Sequence, residues 1–503
     1  MTKIGLFLII IQLISKIFGF AREMVLSYFY GTSTISDAYL VAFTIPSILF
    51  TLIGTGITAG YIPTFNKIRK KDGRDEAELF TSNLTNIILL FTLGLAIIIS
   101  IFPGLFVKLI ASGFQGEQLE LAVYFTRISI WSIVFLGATT ILIPYLNIKD
   151  SFYVSSAIGI PLNIGLISGI ILSFYFSKFY LAFGITLGYL LQLILLTPVL
   201  KVNRYKHKFF IDFKDRYIKD IMFLAAPMIV GSCASQLNVI IDRTIASFLP
   251  TGSVSALNYS SRLNGFIQGV LLAPLITLLY PKISELAVNN DNKKLAKYFY
   301  EAISIMTLMV LPLMIGGMYL SKEITGVLFL RGAFDESALN TTSSAVFFYL
   351  LGIIGAYREV QFRVYYSYGD TKTPVKNSIV AVVINVVLNL ILSRFMGASG
   401  LALATSISSI TAAILLQRNI KRYINDNETK RECIRNISKI FISGMLMLVM
   451  LILFRNIYPP RINILNVMIQ AIIGALTYLV VLKILRVNEL KVIEEMIINK
   501  IKH

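Results

Sequence analysis

The sequence predicts an all-α polytopic membrane protein of about fourteen transmembrane helices: two six-helix lobes related by a parallel repeat, then two C-terminal helices. Three observations carry this prediction. The 503 residues are 56% hydrophobic and only 15% charged, with a mean hydropathy of +0.75, which is more apolar surface than a soluble chain can bury. Apolar windows of about 20 residues, each long enough to cross a hydrocarbon core, recur along the chain. Lysine and arginine gather in alternate connections between those windows.

The windows fall at 4–28, 36–64, 80–107, 120–146, 152–175, 180–200, 218–248, 254–280, 298–320, 338–365, 374–393, 398–417, 436–454 and 464–485. The two chain ends and the connections after even-numbered spans, counted with residues just inside the span ends, hold 32 of the 46 Lys and Arg residues. The opposite connections hold seven. Positive charge marks the cytoplasmic side, so both termini are expected there, and an even span count agrees. The formal net charge of +19 alone would allow nucleic acid as a partner. A surface built for nucleic acid would not alternate in this way, so none is expected. With only Lys3 as a basic n-region and no clear small-residue cleavage site, the first window reads as a span, not as a removable signal peptide.

The first span carries the chemistry. Residues 4–14 are almost unbroken hydrocarbon, and then Lys16, Arg22 and Glu23 arrive where the helix should still be crossing the bilayer. At 100° per residue Ser15, Gly19 and Arg22 share one face, with Lys16 and Glu23 in line on the adjoining one. A charge in mid-membrane costs roughly 2.5–3.5 kcal/mol on insertion scales, so it faces a partner or a wet cavity unless it snorkels to an interface. Asp37 opens the second span. Arg127 in the first lobe, and Asp242, Arg243, Arg262, Arg358, Glu359 and Arg363 in the second, complete the set of candidate intramembrane charges. Arg127, Arg358 and Glu359 read as structural, and Arg363 anchors the connection after span 10. Neighbours such as Arg22 and Glu23, or Asp242 and Arg243, point apart on a helix, so local pairing is not expected.

The largest basic connections, 201–219 and 418–439, divide the chain into 1–205, 206–425 and 426–503. The first two segments resemble each other. Arg22 precedes Gly31 by nine residues and Arg243 precedes Gly252 by nine. Equal lengths then separate Ala38 from Pro63 and Ala256 from Pro281. Both lobes begin on the same side, and parallel repeats of this kind place the substrate path between them. Cations there would draw an anion in low dielectric, and phosphate or diphosphate suits arginine forks. In the connection 363–374, Gly369 and Asp370 suit a tight turn, Thr371 or Thr373 a helix cap, and Pro374 a first turn. Cys233 and Cys433 make no disulfide framework, and two histidines, His207 and His503, leave no basis for a histidine metal site.

Together the motifs identify a family. Ser15-Lys-x-x-Gly19-x-x-Arg22-Glu23, Gly31 with Ser36-Asp37-Ala38, Ala42-Phe43-x-x-Pro46, Asn258-Tyr259-x-x-Arg262-Leu263, Arg331-Gly-Ala-Phe334 and the 366–374 connection resemble the MurJ (MviN) family. These are lipid II flippases of the multidrug/oligosaccharidyl-lipid/polysaccharide exporter superfamily, and the resemblance covers essentially the whole chain. It implies a peptidoglycan precursor linked to undecaprenyl diphosphate, moved from inner to outer leaflet by alternating access. It also implies a role in cell-wall synthesis and cell shape. Arg22 and Arg262 match family cavity arginines, Lys16 replaces another, Asp37 matches a family aspartate, and Ser15 and Glu23 match polar positions beside the arginines. Ser15, Lys16, Arg22, Glu23, Asp37 and Arg262 are therefore the expected substrate-binding set. The family's second-span arginine falls on Phe50 and a nearby acidic residue on Thr55, which leaves a related lipid-linked oligosaccharide open as substrate.

Some family members bind sodium between spans 7, 11 and 12. Asp242, Asn385, Asn389 and Thr405 fall at corresponding positions, with interhelical hydrogen bonding as the alternative for Asn385 and Asn389. The family's extra helix pair borders a hydrophobic groove in which a polyprenyl tail could stay in lipid. The expected partners are the lipid-linked diphosphate glycan and membrane lipids, with cell-wall synthesis proteins as candidates. A monomer in the bacterial cytoplasmic membrane is expected. Two other functions would call for different residues. A multidrug or cation antiporter would favour a carboxylate-rich cavity, whereas these candidates are more basic than acidic. A membrane glycosyltransferase would place catalytic carboxylates in a sizeable outer loop, and the longest here is about 321–338. No Gly-x-x-x-x-Gly-Lys-Ser/Thr loop is present, so the protein is not expected to be an enzyme, and an ion gradient or the membrane potential must supply the energy.

Overall fold

The computed structural model describes residues 3–272, 282–287, 291–424, 426–459, 462–487 and 489–490, and every regular element among them is a helix. The helices gather into two compact units, Met1–Asn258 with Arg331–Phe334, and Tyr259–Leu330 with Asp335–His503. Ten helices among the described residues are long and apolar enough to cross a membrane, eleven with one bent pair counted as a single span. These coincide with eleven of the fourteen expected windows. Windows 1 and 7 coincide with the helices Lys3–Tyr30 and Arg216–Ser247, and window 8 begins with the helix Ser253–Ile267, its residues 273–280 and the closing Pro281 lying outside the described residues.

The first unit begins with α1 (Lys3–Tyr30), α2 (Thr34–Lys71) and α3 (Arg74–Ile101). Ser33 and Ser36 start α2 by exchanging side-chain and backbone bonds, and Arg69, Lys70 and Lys71 sit in its last turn, where cations suit the helix dipole. α4 (Pro103–Ile110), α5 (Gly116–Ser129), α6 (Ser132–Ile148) and α7 (Phe152–Ala157) follow, then α8 (Gly159–Tyr175), α9 (Phe179–Val202) and α10 (Arg216–Ser247). α8 and α9 meet at glycines: a Cβ on Gly165 would stand 2.5 Å from Gly188 Cα, and one on Gly169 2.5 Å from Gly184 Cα. Small residues let two membrane helices approach to backbone contact. α2 meets α10 in a similar way through Gly56 and Gly60, which face Ile229, Ala225 and Ile221. At the end of the unit that carries basic residues, Tyr61, Phe65, Phe80 and Tyr145 pack together, with the Tyr61 hydroxyl 2.7 Å from Thr81 Oγ1.

The connection from α9 to α10 is irregular, so its backbone must find partners elsewhere. Two asparagines on α3 supply them. Asn83 Nδ2 donates to Asp212 O at 2.9 Å, and Asn83 Oδ1 accepts the Asp212 amide at 2.8 Å. Asn86 Nδ2 donates to Lys208 O and Phe210 O at 2.8 and 2.9 Å, and its Oδ1 lies 2.8 Å from His207 Nε2.

α11 (Ser253–Ile267) carries the boundary between the units. The second unit continues with α12 (Asn292–Tyr319), α13 (Ser321–Phe329), α14 (Glu336–Leu351), α15 (Tyr357–Ser367), α16 (Lys372–Met396) and α17 (Ala398–Asn419). α18 (Asn427–Ile457) and α19 (Ile464–Ile484) are the C-terminal pair. α18 packs on α12, and Tyr478 of α19 donates to Leu308 O at 2.9 Å. Arg455 lies 3.5 Å from the buried Glu323 and over the ring of Tyr319. In the connection before α16, Gly369 has φ +71°, as a tight turn requires. The expected threonine cap is not the one used. Asp370 accepts the Thr373 amide at 3.0 Å and the Tyr423 hydroxyl at 3.0 Å, because its carboxylate reaches the free amides of the first turn from outside the helix.

Candidate functional site

The expected substrate-binding residues stand on α1, α2 and α11. Those of α1 include a charge pair. Arg22 is buried, forms an ion pair with the adjacent Glu23, and lies 5.2 Å from the centre of the Phe43 ring on α2. Residues one apart do not share a helix face, but the long arginine stem reaches back to its neighbour's carboxylate, so the expectation that the two point apart is corrected. Glu23 Oε2 also accepts Asn258 Nδ2 at 2.8 Å. Asn258 Oδ1 in turn accepts Arg243 Nη2 at 3.1 Å, and Arg243 Nη1 donates to Val254 O at 3.1 Å. A chain of alternating donors and acceptors thus runs from Arg22 on α1 to Arg243 on α10. It keeps the buried Arg22 and the half-buried Arg243 compensated.

On α2 stands Asp37. Its carboxylate, 1% exposed, accepts Gly252 N at 2.7 Å, Ser255 N at 2.8 Å, Ser255 Oγ at 2.7 Å and Gln118 Nε2 at 3.2 Å. The first three belong to the start of α11, whose free amides and positive dipole end favour a carboxylate. Four donors take up the carboxylate's acceptor capacity. Asp37 was expected to bind substrate. In this arrangement it is a tie between α2, α5 and α11.

Lys16 and Arg262 are exposed. Ser15 meets Gly159 at the start of α8, and a Cβ on Gly19 would touch Asn163 at 3.6 Å, so this side of α1 packs on α8. Phe50 is half-buried. Thr55 donates to Thr51 O at 2.8 Å and Ser232 Oγ at 3.2 Å. Arg127 is exposed, and Arg358 pairs with Glu359 at 3.7 Å.

The expected sodium ligands divide. Asp242 stands on α10 in the first unit, and Asn385, Asn389 and Thr405 on α16 and α17 in the second. Asn389 Nδ2 donates to Asn385 Oδ1 at 2.9 Å, and Asn385 Nδ2 approaches Thr405 Oγ1 at 3.4 Å. The first bond lies within α16 and the second reaches α17, so the three side chains hydrogen-bond to one another. Among the described residues no group of three or more His, Cys, Asp or Glu is placed to hold a metal ion.

Residues that the sequence reading did not place at the site are Gln118, Gly252 and Ser255. The nine-residue spacing shared by Arg22–Gly31 and Arg243–Gly252 was the available signal for Gly252. Both glycines adopt left-handed backbone, at φ +52° and +91°. Gly31 is pressed against Ala333 O, where any Cβ would clash, and Ala333 N donates to Tyr28 O at 2.8 Å.

The family model described as "Lipid II flippase MurJ" matches residues 26–470. The chain belongs to the MurJ family. A relative from Vibrio cholerae named "Probable lipid II flippase MurJ" is 31% identical over 441 residues, covering 84% of this chain and 83% of the relative. One from Thermotoga maritima with the same name is 27% identical over 479 residues, covering 95% of each. The solved structure of a lipid II flippase MurJ in an inward closed conformation superposes with a TM-score of 0.82 at 26% identity, over 94% of this chain and 97% of that one. An inward-facing multidrug transporter of the MATE family superposes with a TM-score of 0.67 at 14% identity, which is a likeness of fold alone. The protein is therefore a multi-pass membrane protein of a transporter family. Lys16 and Arg22 precede the stretch that the MurJ model matches, so their reading rests on the motif around them and on the pairing described above.

Proposed function

We propose that this protein is a lipid II flippase. It moves the undecaprenyl-diphosphate-linked peptidoglycan precursor from the inner to the outer leaflet of the bacterial cytoplasmic membrane by alternating access, with both termini in the cytoplasm. MurJ family membership supports the substrate class. The observation that carries the reading is the cationic character of the candidate set: Arg22, Lys16 and Arg262 against Glu23, whose charge Arg22 already compensates.

A diphosphate needs cations that stay charged at depth. An arginine offers a planar fork to phosphate oxygens, and a lysine offers one mobile point charge. Glu23 and Phe43 orient Arg22, so its remaining N–H groups are held in place before substrate arrives. The polyprenyl tail loses nothing by staying in hydrocarbon, and only the head requires a polar route. A cationic site that reorients across the membrane potential gains about 2.3 kcal/mol per charge per 100 mV, a sufficient source of energy without nucleotide hydrolysis.

A second reading, a MurJ-family flippase for another lipid-linked oligosaccharide, is favoured by one observation. α2 presents Phe50 and the already bonded Thr55 where relatives of this pattern have charges. Complementation of cells depleted of their own lipid II flippase separates the two. Growth restored by the wild-type chain, and not by Arg22→Ala or Arg262→Ala at equal membrane levels, supports the lipid II reading. Failure of a correctly inserted wild-type chain contradicts it and points to the other glycan.

A further inference from the structure

The second unit contains a polar cleft that the flippase reading does not use. It lies where α12 and α18 begin, at the end of the unit that carries the basic connections, and has a volume of about 590 Å³. Its floor is Glu489, which follows α19 and is 5% exposed. Asn436 Nδ2 donates to Glu489 Oε1 at 2.8 Å, while Oε2 is buried and has no hydrogen-bond partner among the described residues. The other polar groups on the floor are committed elsewhere. Ser304 Oγ donates to Cys433 Sγ at 3.5 Å, and Cys433 Sγ donates to Tyr300 O at 3.5 Å. Glu301, Asp426, Glu428 and Glu432 add negative charge to the walls, and Lys293, Lys294 and Lys297 stand exposed at the rim, Lys294 held 2.8 Å from Asp291 and Lys297 4.0 Å from Glu301.

Those two ends ask for opposite charges in one ligand. A buried carboxylate oxygen without a donor is costly, and the group that answers it is a cation bearing N–H. A rim of lysines answers an anion. The cleft also opens beside hydrocarbon. α12 and α18 are membrane-crossing helices, and Ile434, Phe441 and Met445 of α18 are exposed apolar residues on the outer side. We propose that this cleft binds the headgroup of a phospholipid that carries a primary ammonium beside its phosphate. The ammonium donates to Glu489 Oε2, and the phosphate lies against Lys293 and Lys297. This site stands independently of the transported substrate.

The test uses the full-length protein purified in detergent, with bound lipid counted by native mass spectrometry. Phosphatidylethanolamine, phosphatidylcholine and phosphatidylglycerol of matched chains are the probes. Phosphatidylcholine keeps the positive charge but has no N–H, and phosphatidylglycerol has no cation. One charge-assisted hydrogen bond gives phosphatidylethanolamine a preference of about tenfold or more over both. Glu489→Gln removes that preference, and the double variant Lys293→Gln/Lys297→Gln weakens the binding of phosphatidylethanolamine and phosphatidylglycerol alike. Equal binding of phosphatidylethanolamine and phosphatidylcholine by the wild type overturns the proposal without any variant. So does a Glu489→Gln protein that keeps the preference.

Discussion

Ser255 grips Asp37 twice, through its amide at 2.8 Å and its hydroxyl at 2.7 Å, although 217 residues separate the pair from being neighbours in sequence. The bond fixes the start of α11 to the start of α2. Asp37→Ala leaves two backbone amides and a hydroxyl unsatisfied in a buried place, and is expected to cost on the order of 3 kcal/mol. Ser255→Ala removes one of the four donors and should cost about 1 kcal/mol. Thermal unfolding in detergent measures both. Equal losses would contradict the four-donor account of Asp37.

The two left-handed glycines give a second expectation. An alanine at Gly31 or Gly252 pays about 1–2 kcal/mol for its backbone conformation alone. It then meets Ala333 O in the first case, and Thr32 O at 2.7 Å in the second. Both variants should unfold at lower temperature than Gly94→Ala, because Gly94 sits on a helix with nothing within 4 Å of an added Cβ. A Gly31→Ala protein as stable as Gly94→Ala would show that the turn has another shape.

Arg22 and Glu23 separate stability from transport. Arg22→Ala removes the ion-pair partner of the buried Glu23, and breaking a buried pair in this way costs about 3–5 kcal/mol. The double variant Arg22→Ala/Glu23→Ala removes both charges and should recover most of that stability. It should not recover transport, since the cation itself is missing. Melting temperatures and complementation of the same three proteins decide the matter. Transport by the double variant would make Arg22 a structural residue.

His207 gives the pH dependence of the connection between α9 and α10. Burial lowers its pKa below the ordinary imidazole value, so the fold favours the neutral ring that bonds Asn86 and Tyr205. A histidine with a depressed folded value contributes stability that is complete above the unfolded value of about 6.5. That contribution is lost as pH falls below this value toward the folded one. Hydrogen exchange of residues 205–212 should therefore speed up between pH 7.5 and 5.5, and His207→Gln should flatten the change. Exchange that slows as pH falls, after correction for the intrinsic rate, would contradict the burial argument.

The fold was legible in sequence wherever the signal was local. Eleven apolar windows became the expected helices, because hydropathy over 20 residues is a property of each segment by itself. The repeat spacing added a signal that is not local: Gly31 and Gly252 adopt the same backbone class. The site was legible in residue type and less so in partner. Arg22 pairs with Glu23 because side-chain length overrides helical phase. The partners of Asp37 come from α5 and α11, and no local pattern announces a contact across that distance in the chain. The cap before α16 is Asp370 instead of a threonine for a similar reason, since Tyr423 secures its second oxygen. Asn385 and Asn389, one turn apart, are joined by a hydrogen bond within α16.

The most direct test of the central claim is the amount of lipid II exposed on the outer face of cells in which this chain is the sole lipid II flippase, read by an impermeant enzyme that cleaves the exposed headgroup. The account predicts a cleavable pool with the wild-type chain and its loss with Arg22→Ala/Glu23→Ala at equal membrane abundance. Lipid II that stays protected in cells holding abundant, correctly inserted wild-type protein would contradict it.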